Sequence, residues 1–382
     1  MSEWKEVKLG EIARSNQSTY SPKDNWKFAN YLDTGNITEN RISKILFIDL
    51  MKEDLPSRAR RKVRKNSIIY STVRPNQKHF GIIKNIPENF LVSTGFSVLD
   101  VDESKANPDF VYYSLIQEKN TASLQAVAEQ STSAYPAIKP SDIENLPIKL
   151  PPLAEQKRIA EILGSLDDKI ELNNRINRNL EEQASALFNK AYDEAETQAS
   201  FTDIISISSG GTPKTSEASF WKGQIPFFTP KDVGYPYALT TEKYITENGL
   251  NNCNSKLYPA NTTFITARGT VGKLSLAAVP MAMNQSCFAL VSKSLPPSII
   301  YMYAARAVRG LKKKSNGAVF DAITIKDFET EIINKLSDEK ISSIASVIEP
   351  IFSKIQENTF EIQHLIELRD TLLPKLMSGE EI

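Results

Sequence analysis

In two stretches of the chain, apolar residues recur at alternating steps of four and three. The first runs Ile159, Leu163, Leu166, Ile170, then Leu180, Ala184, Leu187 and Ala191. The second runs Ile344, Ile348, Ile351, Ile355, then Ile362, Leu365, Leu372 and Leu376. That spacing is the seam of a coiled coil. It predicts one long helix over about Glu155–Tyr192 and another over about Lys340–Met377. Pro151 and Pro152 punctuate the entry to the first, whose only glycine is Gly164. Pro350 and Pro374 are expected to bend or end the second locally. Asn173 and Asn177 interrupt the first seam, Asn358 stands where Asn173 stands, and Arg369 replaces Ala184. If the helices pair antiparallel their midpoints meet, so Asn173 is expected to hydrogen-bond Asn358 and fix the register. The plainer alternatives are two amphipathic helices packed on separate domains, with both amides in solvent.

The helices belong to a repeat. Ala137-Ile138-Lys139-Pro140-Ser141-Asp142-Ile143 matches Ala322-Ile323-Thr324-Ile325-Lys326-Asp327-Phe328 at an offset of 185, and the same offset carries through both helices without a gap. Upstream, Ser67–Arg74 resembles the stretch ending Thr263-Phe264-Ile265-Thr266-Ala267-Arg268, and places Arg74 on Arg268 at an offset of 194. Both stretches read as buried strands running into polar loops. The chain is therefore a tandem duplication of a globular unit followed by a long helix. The expected class is α+β: two mixed α/β domains, with the helices packed as an antiparallel coiled coil and the copies pseudo-two-fold symmetric. The expected boundaries are 1–150, 151–196 for the first helix, 197–334, and 335–382 for the second.

Composition narrows the chemistry. The chain has 382 residues, 46 Lys+Arg against 46 Asp+Glu, two cysteines and two histidines. Cys253 and Cys287 lack the spacing of a zinc site or a disulfide framework, and two histidines exclude a metal site built on several. No leader and no membrane-spanning run is visible, so a cytoplasmic protein is expected. The neutral total conceals a division. Residues 1–150 carry 21 cations against 18 anions and residues 201–334 carry 14 against 9, whereas 151–200 and 335–382 carry 6 against 10 and 5 against 9. Basic globular units and acidic helices suit units that meet phosphates and helices that do not.

The cations also cluster. Six lie between Arg58 and Lys65, including Arg60 and Arg61, and Lys312-Lys313-Lys314 follows Arg306 and Arg309. The first run and Lys313 are candidates for backbone contact, against the alternative of a solvated face. Gly211 and Thr212, in the turn Gly210-Gly211-Thr212-Pro213, offer close backbone approach and a hydroxyl to a phosphate. Arg74, Lys78, Arg268 and Lys273 sit in loops after the matched strands and are expected to face DNA. Arg268-Gly269-Thr270-Val271-Gly272-Lys273 is not a nucleotide-binding phosphate loop, because Ala267 and Leu274 occupy positions that need Gly and Ser or Thr. No catalytic constellation emerges.

Leu150-Pro151-Pro152-Leu153-Ala154-Glu155-Gln156, continuing to Leu163, resembles the central conserved region of the specificity subunits of Type I restriction-modification systems. Leu368-Arg369-Asp370-Thr371-Leu372-Leu373-Pro374-Lys375, continuing to Gly379, resembles their C-terminal signature. Gly210–Pro213 and Thr263–Lys273 resemble features of their second target-recognition domain. The first unit departs most, with Pro75-Asn76-Gln77-Lys78 where the second has Gly269-Thr270-Val271-Gly272. The resemblance implies two domains that each read half of a split DNA target and a chain that binds two modification subunits; the helices, whose surfaces are alike in the two copies, are expected to carry that contact. It implies no catalysis or cofactor in this chain. S-adenosylmethionine, ATP and magnesium are expected on the partner modification and restriction subunits. A protein-binding scaffold with two basic domains is the competing reading, and a fused enzyme is a weaker one.

Overall fold

A computed structural model describes residues 4–130, 136–234, 236–314 and 322–379. The chain forms two compact units: 1–168 with 366–382, and 169–365. The division falls within both long helices, α3 (Leu153–Asp193) and α5 (Asp338–Ser378).

The first unit is built on two four-stranded sheets. One has the order β4 (Leu46–Asp49), β3 (Phe28–Leu32), β8 (Phe90–Ser93), β5 (Ala59–Lys62). The other has the order β2 (Ala13–Ser15), β9 (Phe96–Val101), β6 (Ile68–Ser71), β7 (Phe80–Ile82). β1 (Lys5–Lys8) pairs antiparallel with β10 (Pro147–Leu150) just before α3. Two further helices, α1 (Pro108–Leu115) and α2 (Glu118–Glu129), cover the second sheet. Pro108 fits the first turn of α1, and the Asn107 side chain accepts the Phe110 N–H at 3.0 Å. The core joins Ile68, Tyr70, Phe80 and Phe110 to Ile159 and Leu163 of α3 and to Leu376 and Met377 of α5. Each such side chain contributes about 2 kcal/mol on burial. On the same helices, Arg369 donates to Asp167 at 2.8 Å, and the Tyr113 hydroxyl donates to the other Asp167 oxygen at 2.6 Å.

The second unit repeats this plan. Its main sheet has the order β12 (Ser206–Ser209), β19 (Cys287–Val291), β16 (Thr263–Thr266), β17 (Leu274–Ala277), β14 (Tyr237–Ala238). Its smaller sheet has the order β15 (Tyr244–Ile245), β13 (Trp221–Phe228), β18 (Ala282–Met283). β11 (Thr197–Ser200) pairs with β20 (Ile332–Lys335), as β1 does with β10. A single 18-residue helix, α4 (Pro297–Lys314), stands where the first copy has α1 and α2. Phe188 of α3, Tyr303 of α4 and Ile348 of α5 share one core.

The seam departs from its expected form in three ways. Leu187 is exposed and Phe188 is buried in its place, so the buried run is Ala184, Phe188, Ala191. α5 ends at neither proline. Pro350 and Pro374 both lie on its exposed side, where water can satisfy the carbonyl that loses its helical partner. The amide pairing is also shifted by one turn. Asn173, Asn177 and Asn358 are all buried, as a seam requires. However, Asn358 donates to Asn177 at 2.8 Å, while Asn173 donates to Glu361 at 2.9 Å. The polar layer is therefore four residues in two pairs rather than one central pair. The Asn173 amide, with the Lys169 ammonium at 3.3 Å, holds the Glu361 carboxyl below its ordinary value.

Replacing Asn358 with Leu strands the Asn177 amide, and is expected to cost about 1–3 kcal/mol in chemical denaturation. The double change Asn177→Leu with Asn358→Leu should recover much of that loss, because neither group is then left unpaired. The depressed Glu361 value adds stability above the usual carboxylate range, lost as pH falls through the folded value. Asn173→Ala should flatten that part of the stability–pH curve.

Candidate nucleic-acid interface

The duplicated hairpins carry the candidate residues, and their hydrogen bonds fix how the copies correspond. Ser71 N–H donates to His79 at 2.8 Å, and Thr266 N–H to Lys273 at 2.9 Å. Thr72 N–H donates to Gly95 at 2.8 Å, and Ala267 N–H to Ser286 at 2.8 Å. The Thr72 and Ala267 carbonyls accept from Ile138 and Ile323. Ser71 thus matches Thr266, an offset of 195, and His79 matches Lys273, an offset of 194. The first loop is one residue longer.

This corrects the alignment of Arg74 with Arg268. A shift of one residue in a strand exchanges its faces, so letter similarity around a single arginine is a poor guide to register. Arg74 falls on Gly269 and Lys78 on Gly272. All four have left-handed backbones, with φ of 49°, 79°, 55° and 72° in that order. The first copy places cations where the second uses glycine, and the second places Arg268 and Lys273 one residue to the side. Gly272 has a further constraint, since a Cβ there would lie 2.9 Å from a Val308 methyl.

In the second unit, three candidates meet at one turn. The Gly211 N–H donates to Met283 at 3.2 Å, and a Cβ on Gly211 would lie 2.6 Å from the Asn254 nitrogen. The Thr212 hydroxyl donates to Gln285. Arg268 N–H donates to Ser286 at 3.3 Å. The turn Asn284–Ser286 therefore joins the glycine turn to the hairpin loop, and Thr212, Gln285 and Arg268 are exposed around it. Lys273, at the other end of the loop, is exposed. There it shares an open cleft of about 650 Å³ with Lys231, Arg309 and Lys312. Sequence order hides this group, because its members come from three separate segments.

The remaining candidates are more constrained. Lys78 lies between Glu39 at 3.3 Å and Glu118 at 3.2 Å. Burial works against its charge, but the two carboxylates outweigh burial and raise its pKa. Arg74 is exposed at the head of its loop. Arg60 and Arg61 are half-buried on the edge strand β5, and Arg61 bridges Thr19. The basic run around them is not a uniform face: Lys62 pairs with Asp24 at 2.7 Å and lies over the Trp26 ring, while Arg64 pairs with Asp100 at 3.2 Å. Lys313 is exposed in the last turn of α4. Arg306 is turned inward, bonding Asp193 and lying 4.2 Å from the centre of the Tyr192 ring. Among the described residues no cluster of metal ligands is present, and no helix is long and apolar enough to cross a membrane.

The family model for the Type I restriction modification DNA specificity domain matches residues 1–182 and again 197–368. The chain belongs to that family. Over 465 aligned positions it is 25% identical to the Type I restriction enzyme HindI specificity subunit of Haemophilus influenzae, covering 100% of both chains. Over 171 positions it is 30% identical to the EcoR124I/EcoR124II specificity subunit of Escherichia coli, covering 42% of each. The crystal structure of the Type-I restriction-modification system S subunit from M. genitalium shares the fold at a TM-score of 0.56 and 15% identity, covering 98% of this chain and 96% of that one. The two matches to the specificity-domain model coincide with the two copies of the hairpin and its adjoining turn.

Gly272→Ala should destabilise the second unit by about 1–3 kcal/mol, because it combines backbone strain with a contact on α4. Gly164→Ala meets nothing within 4 Å inside α3. It should stabilise by about 0.5–1 kcal/mol. Thermal unfolding of the two variants should therefore move in opposite directions.

Proposed function

We propose that this chain is the DNA sequence-recognition subunit of a Type I restriction-modification complex. Each globular unit reads one half of a bipartite duplex target, and the paired helices dock two modification subunits. One observation carries the reading: the specificity-domain match occurs twice, and each copy presents a hairpin loop with cations beside a second turn. Backbone cations and closely approaching glycines would set position on the duplex, and side chains around the turn would read base edges. Methyl transfer to adenine from S-adenosylmethionine belongs to the modification subunits. ATP- and magnesium-dependent translocation and cleavage belong to a restriction subunit. The acidic surfaces of α3 and α5 suit contact with protein rather than with DNA.

Arg268→Ala should weaken duplex binding of the complex assembled with its modification subunits by about tenfold at ~0.1 M salt. Subunit assembly should be unchanged. Fluorescence anisotropy across a salt titration measures the first and gel filtration the second. Identical affinity for wild type and variant at every salt concentration would remove Arg268 from the interface. A wild-type complex that binds no duplex would overturn the function itself.

A further inference from the structure

The two units differ electrically at the same place. In each, a cleft lies between the duplicated hairpin and the helices that follow it, and in the first unit α5 lines the cleft as well. In the first unit it is lined by Lys78 and Phe80 of the hairpin and by Tyr112 and Glu118 of the helices, and its volume is about 330 Å³. In the second it is lined by Gly272, Lys273 and Leu274 and by Tyr301, Arg309 and Lys312 of α4, and its volume is about 650 Å³. The hairpin correspondence above makes their hairpin walls equivalent. Where the Lys78 side chain lines the first cleft, the second has Gly272, with Val308 and Lys312 of α4 packed close against it.

Charge follows the same division. The first cleft is lined by three cations, Lys78, Lys119 and Arg369, and by three carboxylates, Glu39, Glu118 and Asp370. Both Lys78 and Arg369 are committed to those and neighbouring carboxylates at 2.8–3.3 Å. The second cleft is lined by four cations and no carboxylate. Lys231 pairs with Glu242 at 3.3 Å, but that pair is exposed and weak. Lys273 and Arg309 are exposed and have no ion-pair partner among the described residues. The excess of cation at Lys273 and Arg309 makes a positive potential that an anion relieves. Arg309 can hold two oxygens of a phosphate at once, and Lys273 supplies a point charge.

We infer that the second cleft takes phosphodiester groups of the bound duplex, and that the first, closed by its own ion pairs, does not. The inference rests on the DNA reading above and assigns an anchoring contact to one half-site only. An acidic protein surface is the other polyanion that would fit. The cleft is lined by the loop that follows Arg268 and by α4, not by α3 or α5, which favours DNA.

The test uses the chain assembled with its modification subunits, a labelled duplex and a salt titration. Lys273→Gln with Arg309→Gln should weaken binding about tenfold per cation at ~0.1 M salt, and flatten the log–log salt slope by about one per cation. The loss should be equal for target and non-target duplexes, because backbone contacts carry no sequence. Lys273→Arg with Arg309→Lys should retain the slope, which counts the charges that meet phosphate. Glu39→Gln with Glu118→Gln, which releases Lys78, should steepen the slope. A wild-type complex that binds duplex normally while the Gln variant keeps its slope and affinity would overturn the cleft alone. So would loss of subunit assembly with an unaltered slope, which would assign the cleft to a protein. A wild-type complex with no salt-dependent binding would remove the DNA reading, and the cleft with it.

Discussion

Neither globular unit closes its core without two helix segments drawn from distant parts of the chain. Ile159 and Leu163 meet Leu376 and Met377 under the first unit, and Phe188 meets Ile348 under the second. These residues are buried among the strands and helices that carry the duplicated hairpin loops, so loop position is coupled to helix packing. The buried pair Asn177 with Asn358, and the buried Asn173 bonded to the exposed Glu361, add direction to the seam. Sliding the helices would leave the three buried amides against apolar side chains, a cost of about 1–3 kcal/mol for each unsatisfied group. The polar layer thus resists slippage that the apolar residues alone would tolerate.

Duplication explains why one plan serves both units, and divergence at particular residues explains how they differ. The hairpin needs left-handed backbone at two positions. The second copy meets that need with Gly269 and Gly272, and the first accepts the strain with Arg74 and Lys78. The consequence reaches beyond the backbone. A side chain at 78 brings a charge that Glu39 and Glu118 neutralise, whereas glycine at 272 lets α4 pack close to the loop and the cleft beside it carries Lys273 and Arg309. The helices diverge in the same manner. Arg369 bonds Asp167 in the first unit, and the matching position in the second is the buried Ala184.

Much of this was legible in the residue pattern, for physical reasons. The long helices show because a seam buried over many turns imposes its period on the sequence, and the repeat shows because that period recurs in register. The seam misled at Leu187, where an exposed leucine sits beside the phenylalanine that packs. Asn173 and Asn358 were recognisable as seam residues, but their partners depend on stagger, which a single helix does not encode. The hairpin alignment was one residue out because Arg74 and Arg268 look alike, while the true correspondence is carried by backbone direction and hydrogen bonds. The basic cleft was invisible for a different reason: Lys231, Lys273 and Arg309 are brought together only by the fold.

The central claim is that the hairpin loops and their adjoining turns face the duplex. Amide hydrogen exchange of the assembled complex, with and without its target DNA, tests this most directly. The account predicts slowed exchange at residues 267–273 and 284–286 in the second unit, and at 72–79 and 93–95 in the first. Slowed exchange confined to other surfaces of the two units, in a complex shown to hold the duplex, would contradict it.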